Sequence, residues 1–319
     1  MHVFRPASKS SKLLQLQALL PRLHEKSPNF DHLHDLLGKE LAGYYGETSL
    51  QYYFQLLHLP TSILLYGLRL PGEHNAFQID ALLLTPTVIF IIEAKNIKGI
   101  VTFNEAGQLI RSLDGIKETY AHPLLQANEQ RLHLKKFLVS HNFNDIAVHP
   151  IVCFTHSNVI LDFEHQQTDV LTSEQLPNRI RELTNQYKMK KLDRRQLQTV
   201  ARVLQAHHTD FRGKIIEKYN IPKRHIRKGV WCPSCKRDTM QRYKRTWICP
   251  SCGSRDSYAH RQALTEYGLL FKTSIKNSEA REFLAVESSS VVKRMLTGMG
   301  LNYSGENYKR TYYLNELLK

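Results

Sequence analysis

Gln78–Lys95 reads QIDALLLTPTVIFIIEAK. Two apolar strand runs, Ala76–Leu84 and Val88–Lys95, are joined by Thr85-Pro86-Thr87. Val88 to Ile92 is unbroken apolar sequence, the pattern of a strand covered on both faces. Such a strand has little reason to end in Glu93-Ala94-Lys95 unless the charges have partners, because an unpaired buried charge is costly. Strand side chains alternate, so Glu93 and Lys95 share a face. If the two runs pair as a hairpin, Asp80 falls within about one or two positions of Glu93 across the ladder. Two carboxylates and one ammonium then converge. Hard oxygen ligands of this kind hold Mg²⁺, and a metal beside a lysine suits phosphodiester hydrolysis.

Asp80 followed by Glu93-x-Lys95 resembles the D…ExK signature of the PD-(D/E)xK phosphodiesterase superfamily. The flanks are more specific. Gly43-Tyr44-Tyr45-Gly46-Glu47, Gln78-Ile79-Asp80, Ile92-Glu93-Ala94-Lys95-Asn96 with Gly99, and Pro123-Leu124-Leu125-Gln126 are similar in order and spacing to the nuclease-related domain, NERD. The resemblance spans Leu41 to His156. It implies an α/β fold with a restriction-endonuclease-like mixed-sheet core and Mg²⁺ or Mn²⁺ as cofactor. It adds Glu47 to Asp80 and Glu93 as metal ligands, has Gln126 fix substrate or Lys95, and gives Gln78 a supporting place. Read from local sequence alone, Glu47 is a first-turn acid of a helix over Glu47–Leu59, where it stabilises the helix dipole. Gln126 is likewise a solvated residue in the first turn of a helix opened by His122-Pro123.

The 319 residues carry a net charge of +15, unevenly spread. Phe211–Lys319 holds 22 Lys and Arg against 9 Asp and Glu, a net +13, which leaves about +2 for everything before it. A basic third of this kind attracts polyanions, nucleic acid first. No run of about eighteen apolar residues predicts a membrane span, and the basic N-terminal stretch reads as an amphipathic helix rather than a signal peptide. Four of the five cysteines fall in CxxC pairs, as metal ligands of a reducing compartment do. The expected location is therefore cytoplasmic, with DNA or RNA as partner and no membrane. The predicted organisation is a helical segment over 1–40, the nuclease-like domain over 41–156, and a helical extension with a basic linker over 157–228. A zinc ribbon over 229–258 and a winged-helix-like domain over 259–319 complete it. Within this frame Cys153 reads as a buried small hydrophobe, His156 as structural, and Ser173 as a helix N-cap.

Cys232-Pro-Ser-Cys235 and Cys249-Pro-Ser-Cys252 stand thirteen residues apart. Two such knuckles complete a tetrahedral, closed, structural Zn²⁺ site, and the stretch resembles a zinc ribbon. Lys244 and Arg245, with Tyr243 and Trp247 among them, suit phosphate contact and base stacking; zinc ribbons also bind proteins. The tail predicts three helices and a hairpin, resembling a winged helix-turn-helix. Ser289, Ser290, Lys293 and Arg294 would then face a groove, with Lys309 and Arg310 on the wing. The same tail reads equally as a small helical interaction domain with Phe283, Leu284, Val292, Leu296 and Leu301 as its core. The function that follows is a Mg²⁺-dependent DNA nuclease with C-terminal nucleic-acid-binding modules. The alternative is a non-catalytic DNA-binding accessory protein that keeps a vestigial nuclease fold.

Overall fold

The computed structural model describes residues 1–104, 106–163, 167–211 and 213–318. The chain opens with β1 (His2–Arg5), α1 (Ser11–Leu19) and α2 (Phe30–Gln55). It divides into two compact units: residues 1–10 with 40–210, and residues 11–39 with 211–319. The break in the second unit places α1 and the start of α2 with the C-terminal third.

In the first unit β2 (Ile63–Leu70), β3 (Phe77–Leu84) and β4 (Val88–Lys95) form an antiparallel meander. The chain continues through β5 (Gly99–Phe103), β6 (Leu109–Leu113) and β7 (Ile116–Tyr120), then α3 (Pro123–Ser140) and β8 (Ala147–Phe154). β9 (Val159–Phe163), β10 (Val170–Thr172), α4 (Leu176–Gln186) and α5 (Arg194–His207) complete it. One mixed sheet has the order β1-β2-β3-β4-β8-β10, with β1, β8 and β10 parallel to their neighbours. A second has the order β7-β6-β5-β9.

β4 is covered on both faces, as its apolar run predicts. Ile89 and Ile91 pack with Leu134 of α3 and Leu197 and Leu204 of α5. Val88, Phe90 and Ile92 pack with Leu50 and Phe54 of α2 and Ile180 of α4. The alternation slips once, on β2 and β3. Tyr66 pairs with Ala81 and Leu68 with Ile79, skipping Gly67 and Asp80. Gly67 has φ +56°, a left-handed conformation that costs a residue with a Cβ about 1–2 kcal/mol. Beyond this point Leu68 and Ile79 return to the face of Leu65 and Leu82.

Several local expectations are corrected. The first residues are not helical: His2–Arg5 pairs in parallel with β2. Glu47 is not a first-turn acid, since α2 runs unbroken from Phe30 through Gly43 and Gly46 to Gln55. Ser173 is not an N-cap. It is buried and donates to the Phe154 carbonyl, while α4 begins at Leu176. β7 is added between β6 and α3; all five of its residues are exposed, so no apolar alternation marked it.

The second unit contains α6 (Ile215–Lys218), then β11 (Val230–Trp231), β12 (Thr239–Tyr243), β13 (Thr246–Ile248) and β14 (Arg255–Asp256) in an antiparallel sheet. α7 (Ala259–Leu270), β15 (Ser274–Lys276), α8 (Asn277–Leu284), α9 (Ser289–Gly298), β16 (Tyr303–Ser304) and β17 (Thr311–Tyr313) follow, with the order β15-β17-β16 in a three-stranded sheet. The hairpin expected in the tail is short on its second strand, because Asn307–Lys309 makes a 3-10 turn and only Thr311–Tyr313 is extended. Lys214–Lys228 is not free linker: Ile215, Ile221 and Ile226 are buried with Leu16, Leu19 and Leu270. Arg22, fully buried, gives Nε to Glu266 at 2.7 Å and Nη1 to the carbonyls of Arg227 and Gly229.

Candidate active site and metal centre

The β3–β4 register sets the site. Ala81 lies opposite Ile92, so the next pair in line is Asp80 and Glu93. Asp80 Oδ2 accepts from the Ala94 amide at 2.9 Å, which locks the carboxylate onto the end of β4. Glu93 is 2 % exposed and fully engaged. Its Oε1 accepts from Lys95 Nζ at 2.7 Å and its Oε2 from Gln130 Nε2 at 2.7 Å. Lys95 Nζ also donates to Gln126 Oε1 at 3.1 Å. Gln126 and Gln130 lie one turn apart on α3, with His122 as its N-cap and Pro123 in its first turn.

Glu47 arrives from α2, and Gly46 explains how. A Cβ on Gly46 would stand 2.8 Å from Thr155 Oγ1 and 2.9 Å from Asn96 Cβ, so only glycine lets the helix come this close. Asn96 Nδ2 donates to the Ala42 carbonyl at 2.8 Å and ties the same turn to the end of β4. Burial first, then the charges of Glu93 and Glu40, push the Glu47 carboxyl up to about 7. Asp80 is also driven well above the ordinary carboxylate range, by burial first and then by Glu93 and Glu47; the Ala94 amide and Lys95 oppose this only in part. Glu47 and Asp80 therefore give up their protons less readily than free carboxyls, and at Asp80 Lys95 offsets this only in part.

The site residues read from the sequence thus come together, Glu47, Asp80, Glu93, Lys95 and Gln126 alike. Gln78 does not join them: it is exposed on β3 and makes no side-chain hydrogen bond among the described residues. Gln130 was missed. It lies four residues after Gln126, hence on the same helical face, and that spacing was the available signal. The oxygen donors suit a hard divalent cation. As a set they stand wider apart than the cysteines, because among the described residues only the four cysteines bring three or more metal-ligating groups within 4.8 Å of one another.

At that second centre Cys232 Sγ and Cys252 Sγ are 3.7 Å apart, and Cys235 Sγ and Cys249 Sγ 3.6 Å. Tetrahedral Zn–S bonds of about 2.3 Å place sulfurs about 3.8 Å apart, so the four atoms fit a zinc ion. The two knuckles repeat one turn. The Lys236 amide donates to the Cys232 carbonyl at 3.1 Å and the Gly253 amide to that of Cys249 at 2.9 Å. Lys236 and Gly253 both take positive φ, +53° and +70°. Cys232, Cys249 and Trp247 share a single buried cluster with Leu264, Leu296 and Leu314, so the cysteine module and the helical tail have a common core. Trp247 Nε1 donates to His260 Nδ1 at 3.3 Å, and burial holds that imidazole down at about 4.

The basic residues singled out in this unit are exposed or half-buried, and several stand against rings. Lys244 and Arg245 form the β12–β13 turn, with Lys244 Nζ 5.4 Å from the Tyr243 ring centre. Lys293 and Arg294 are exposed on α9. Lys309 Nζ lies 5.8 Å from Tyr308, and Arg310 Cζ 4.2 Å from Tyr303. Ser289 is otherwise occupied: its hydroxyl donates to Asn277 Oδ1 at 3.0 Å.

Among the described residues no helix is long and apolar enough to cross a membrane. No curated protein and no solved structure matches the chain significantly. Residues 42–155, just over a third of the chain, match the family model of the nuclease-related domain, NERD, and so carry the nuclease-related part of this protein.

Proposed function

We propose that the protein is a Mg²⁺-dependent nuclease acting on DNA, built on a restriction-endonuclease-like core. The observation that carries this reading is the placing of Asp80 and Glu93 beside Lys95, with Glu47 near enough to feel Glu93, and with Glu47 and Asp80 both pushed up by burial first and then by the neighbouring acids. A buried group of acids that repel one another favours a cation. Mg²⁺ keeps several of its waters and needs only one or two carboxylates, so the wide spacing of these acids suits it. When bound, the ion supplies charge neutralisation and a more acidic water. Lys95, held between Glu93 and Gln126, orients the attacking water and stabilises charge developing on the phosphate oxygens. Gln130 keeps Glu93 in place.

The cysteine module binds one structural Zn²⁺ in this reading, and the order α7-β15-α8-α9-β16-β17 with its three-stranded sheet supports a winged-helix reading of the tail. Lys244, Arg245, Lys293, Arg294, Lys309 and Arg310 contact nucleic acid. Arg242 adds to them: its Nε and Nη1 are buried without an acceptor, its guanidinium lies 5.2 Å from the Trp247 ring, and Arg294 repels it. A phosphate would satisfy both arginines.

The test is purified protein on linear, nicked and single-stranded DNA, with Mg²⁺ or with EDTA. Metal-dependent cleavage that disappears in Glu93→Gln is the expected result. Binding without cleavage in any metal would leave the accessory-protein reading instead.

A further inference from the structure

His141 and His207 form a second feature of the first unit, unrelated to the carboxylates. His141 is the C-cap of α3 and His207 the last residue of α5. Each imidazole turns back on its own helix. His141 Nδ1 lies 2.8 Å from the Phe137 carbonyl, and His207 Nδ1 2.9 Å from that of Val203. A carbonyl only accepts, so both Nδ1 atoms carry hydrogen and both neutral rings present a bare Nε2 lone pair. Those two Nε2 atoms face each other at 3.3 Å. Phe137 backs both rings, at centroid distances of 4.2 and 5.4 Å, and fixes the arrangement.

Two lone pairs at this distance repel unless a cation lies against them. Three features select a metal ion. Histidine ligands of metals donate their other ring N–H to a carbonyl or carboxylate, as both do here. Zn–N bonds of 2.0–2.1 Å in tetrahedral geometry separate two nitrogens by about 3.3–3.4 Å, whereas adjacent positions of an octahedron at that bond length would be about 3.0 Å apart. Both rings also sit at helix C-termini, where partial negative charge favours a cation. We propose that His141 and His207 bind a zinc ion through their Nε2 atoms. The ion clips the last turn of α3 to the last turn of α5, with its remaining positions open to water.

The experiment is equilibrium dialysis of the full-length protein against micromolar Zn²⁺, with millimolar Mg²⁺ present to occupy the carboxylates. Zinc per chain is compared among wild type, His141→Gln, His207→Gln and the exposed control His58→Gln. Wild type and the control should hold one zinc more than either pair variant, and an unchanged far-ultraviolet circular dichroism spectrum reports that the variants are folded. Zinc in this range should raise the melting temperature of wild type above that of zinc-loaded His141→Gln. Equal zinc content in wild type and both pair variants would overturn the proposal and leave a proton shared between the rings.

Discussion

Glu93 divides its two oxygens between a cation and an amide, and both halves of that division can be tested. Asp80→Asn and Glu93→Gln should each abolish metal-dependent cleavage while DNA retention in a mobility-shift assay stays within about twofold. Cleavage at the wild-type rate in either variant would remove these acids from the mechanism. Gln130→Ala leaves a buried Glu93 oxygen without its donor, a loss of about 1–3 kcal/mol, readable by urea denaturation together with reduced cleavage. Glu47 gives a pH dependence whose sign is fixed. Its carboxyl titrates at about 7 in the folded protein against an ordinary 4.5, so between those values the folded state holds the extra proton. Metal-free stability should therefore fall as pH rises from about 5 to 7, on the order of 3 kcal/mol from this group. Glu47→Gln should flatten that slope, and Mg²⁺ should stabilise wild type most above pH 7. Equal slopes in metal-free wild type and variant would mean Glu47 is not desolvated.

At the scale of elements, α2 offers an internal contrast. Gly43 and Gly46 lie in the same helix, but a Cβ meets nothing within 4 Å at Gly43 and collides with Thr155 and Asn96 at Gly46. Gly43→Ala should stabilise the protein by about 0.5–1 kcal/mol, as glycine to alanine does within a helix. Gly46→Ala should destabilise it and lower cleavage, because the helix that carries Glu47 must back away. Thermal melts of the two variants check this, and melting shifts of the same sign would refute it. These glycines also show what was readable. β4, α3 and the cysteine knuckles follow from runs, spacing and caps, all local signals. The reason for Gly46 is its approach to residues 50 and 109 positions away, and the slip at Gly67 needs a partner strand, so neither is legible in the local sequence. β1 was hidden similarly: four residues carry too little periodicity, and pairing with β2 makes them a strand.

At the scale of the molecule, the cysteine module and the tail share one core, so a zinc ion bound there would hold more than its own knuckles. Cys249→Ser should lower the zinc content by one and loosen α7 to α9, seen as faster amide exchange at Leu264 and Leu296. Unchanged protection there would separate the two modules. Binding can be tested with the whole chain. Neutralising Arg242, Lys244, Lys309 and Arg310 should flatten the dependence of log K on log salt by roughly 0.9 for each duplex phosphate that no longer meets a cation. An unchanged slope and affinity would direct these residues to a protein partner. Arg22 carries the largest single stability prediction. Arg22→Ala strips the charge partner from Glu266 and should cost about 3–5 kcal/mol, measurable as a lower denaturation midpoint.

Arg22 also bears on how the chain is made. Its carbonyl acceptors lie 205 and 207 residues downstream, and Leu16 and Leu19 are buried against Ile215, Ile221 and Leu270. During synthesis residues 40–210 can complete their own sheets as they leave the ribosome. The leucines of α1 cannot be covered until the last third has emerged, a delay of roughly 10–40 s for some two hundred residues at about 5–20 residues per second. For that interval the nascent chain displays a greasy N-terminal hook, so a chain stalled near Asp210 should be held by chaperones or aggregate through α1. α1, made before residues 40–210, is thus among the last parts to fold.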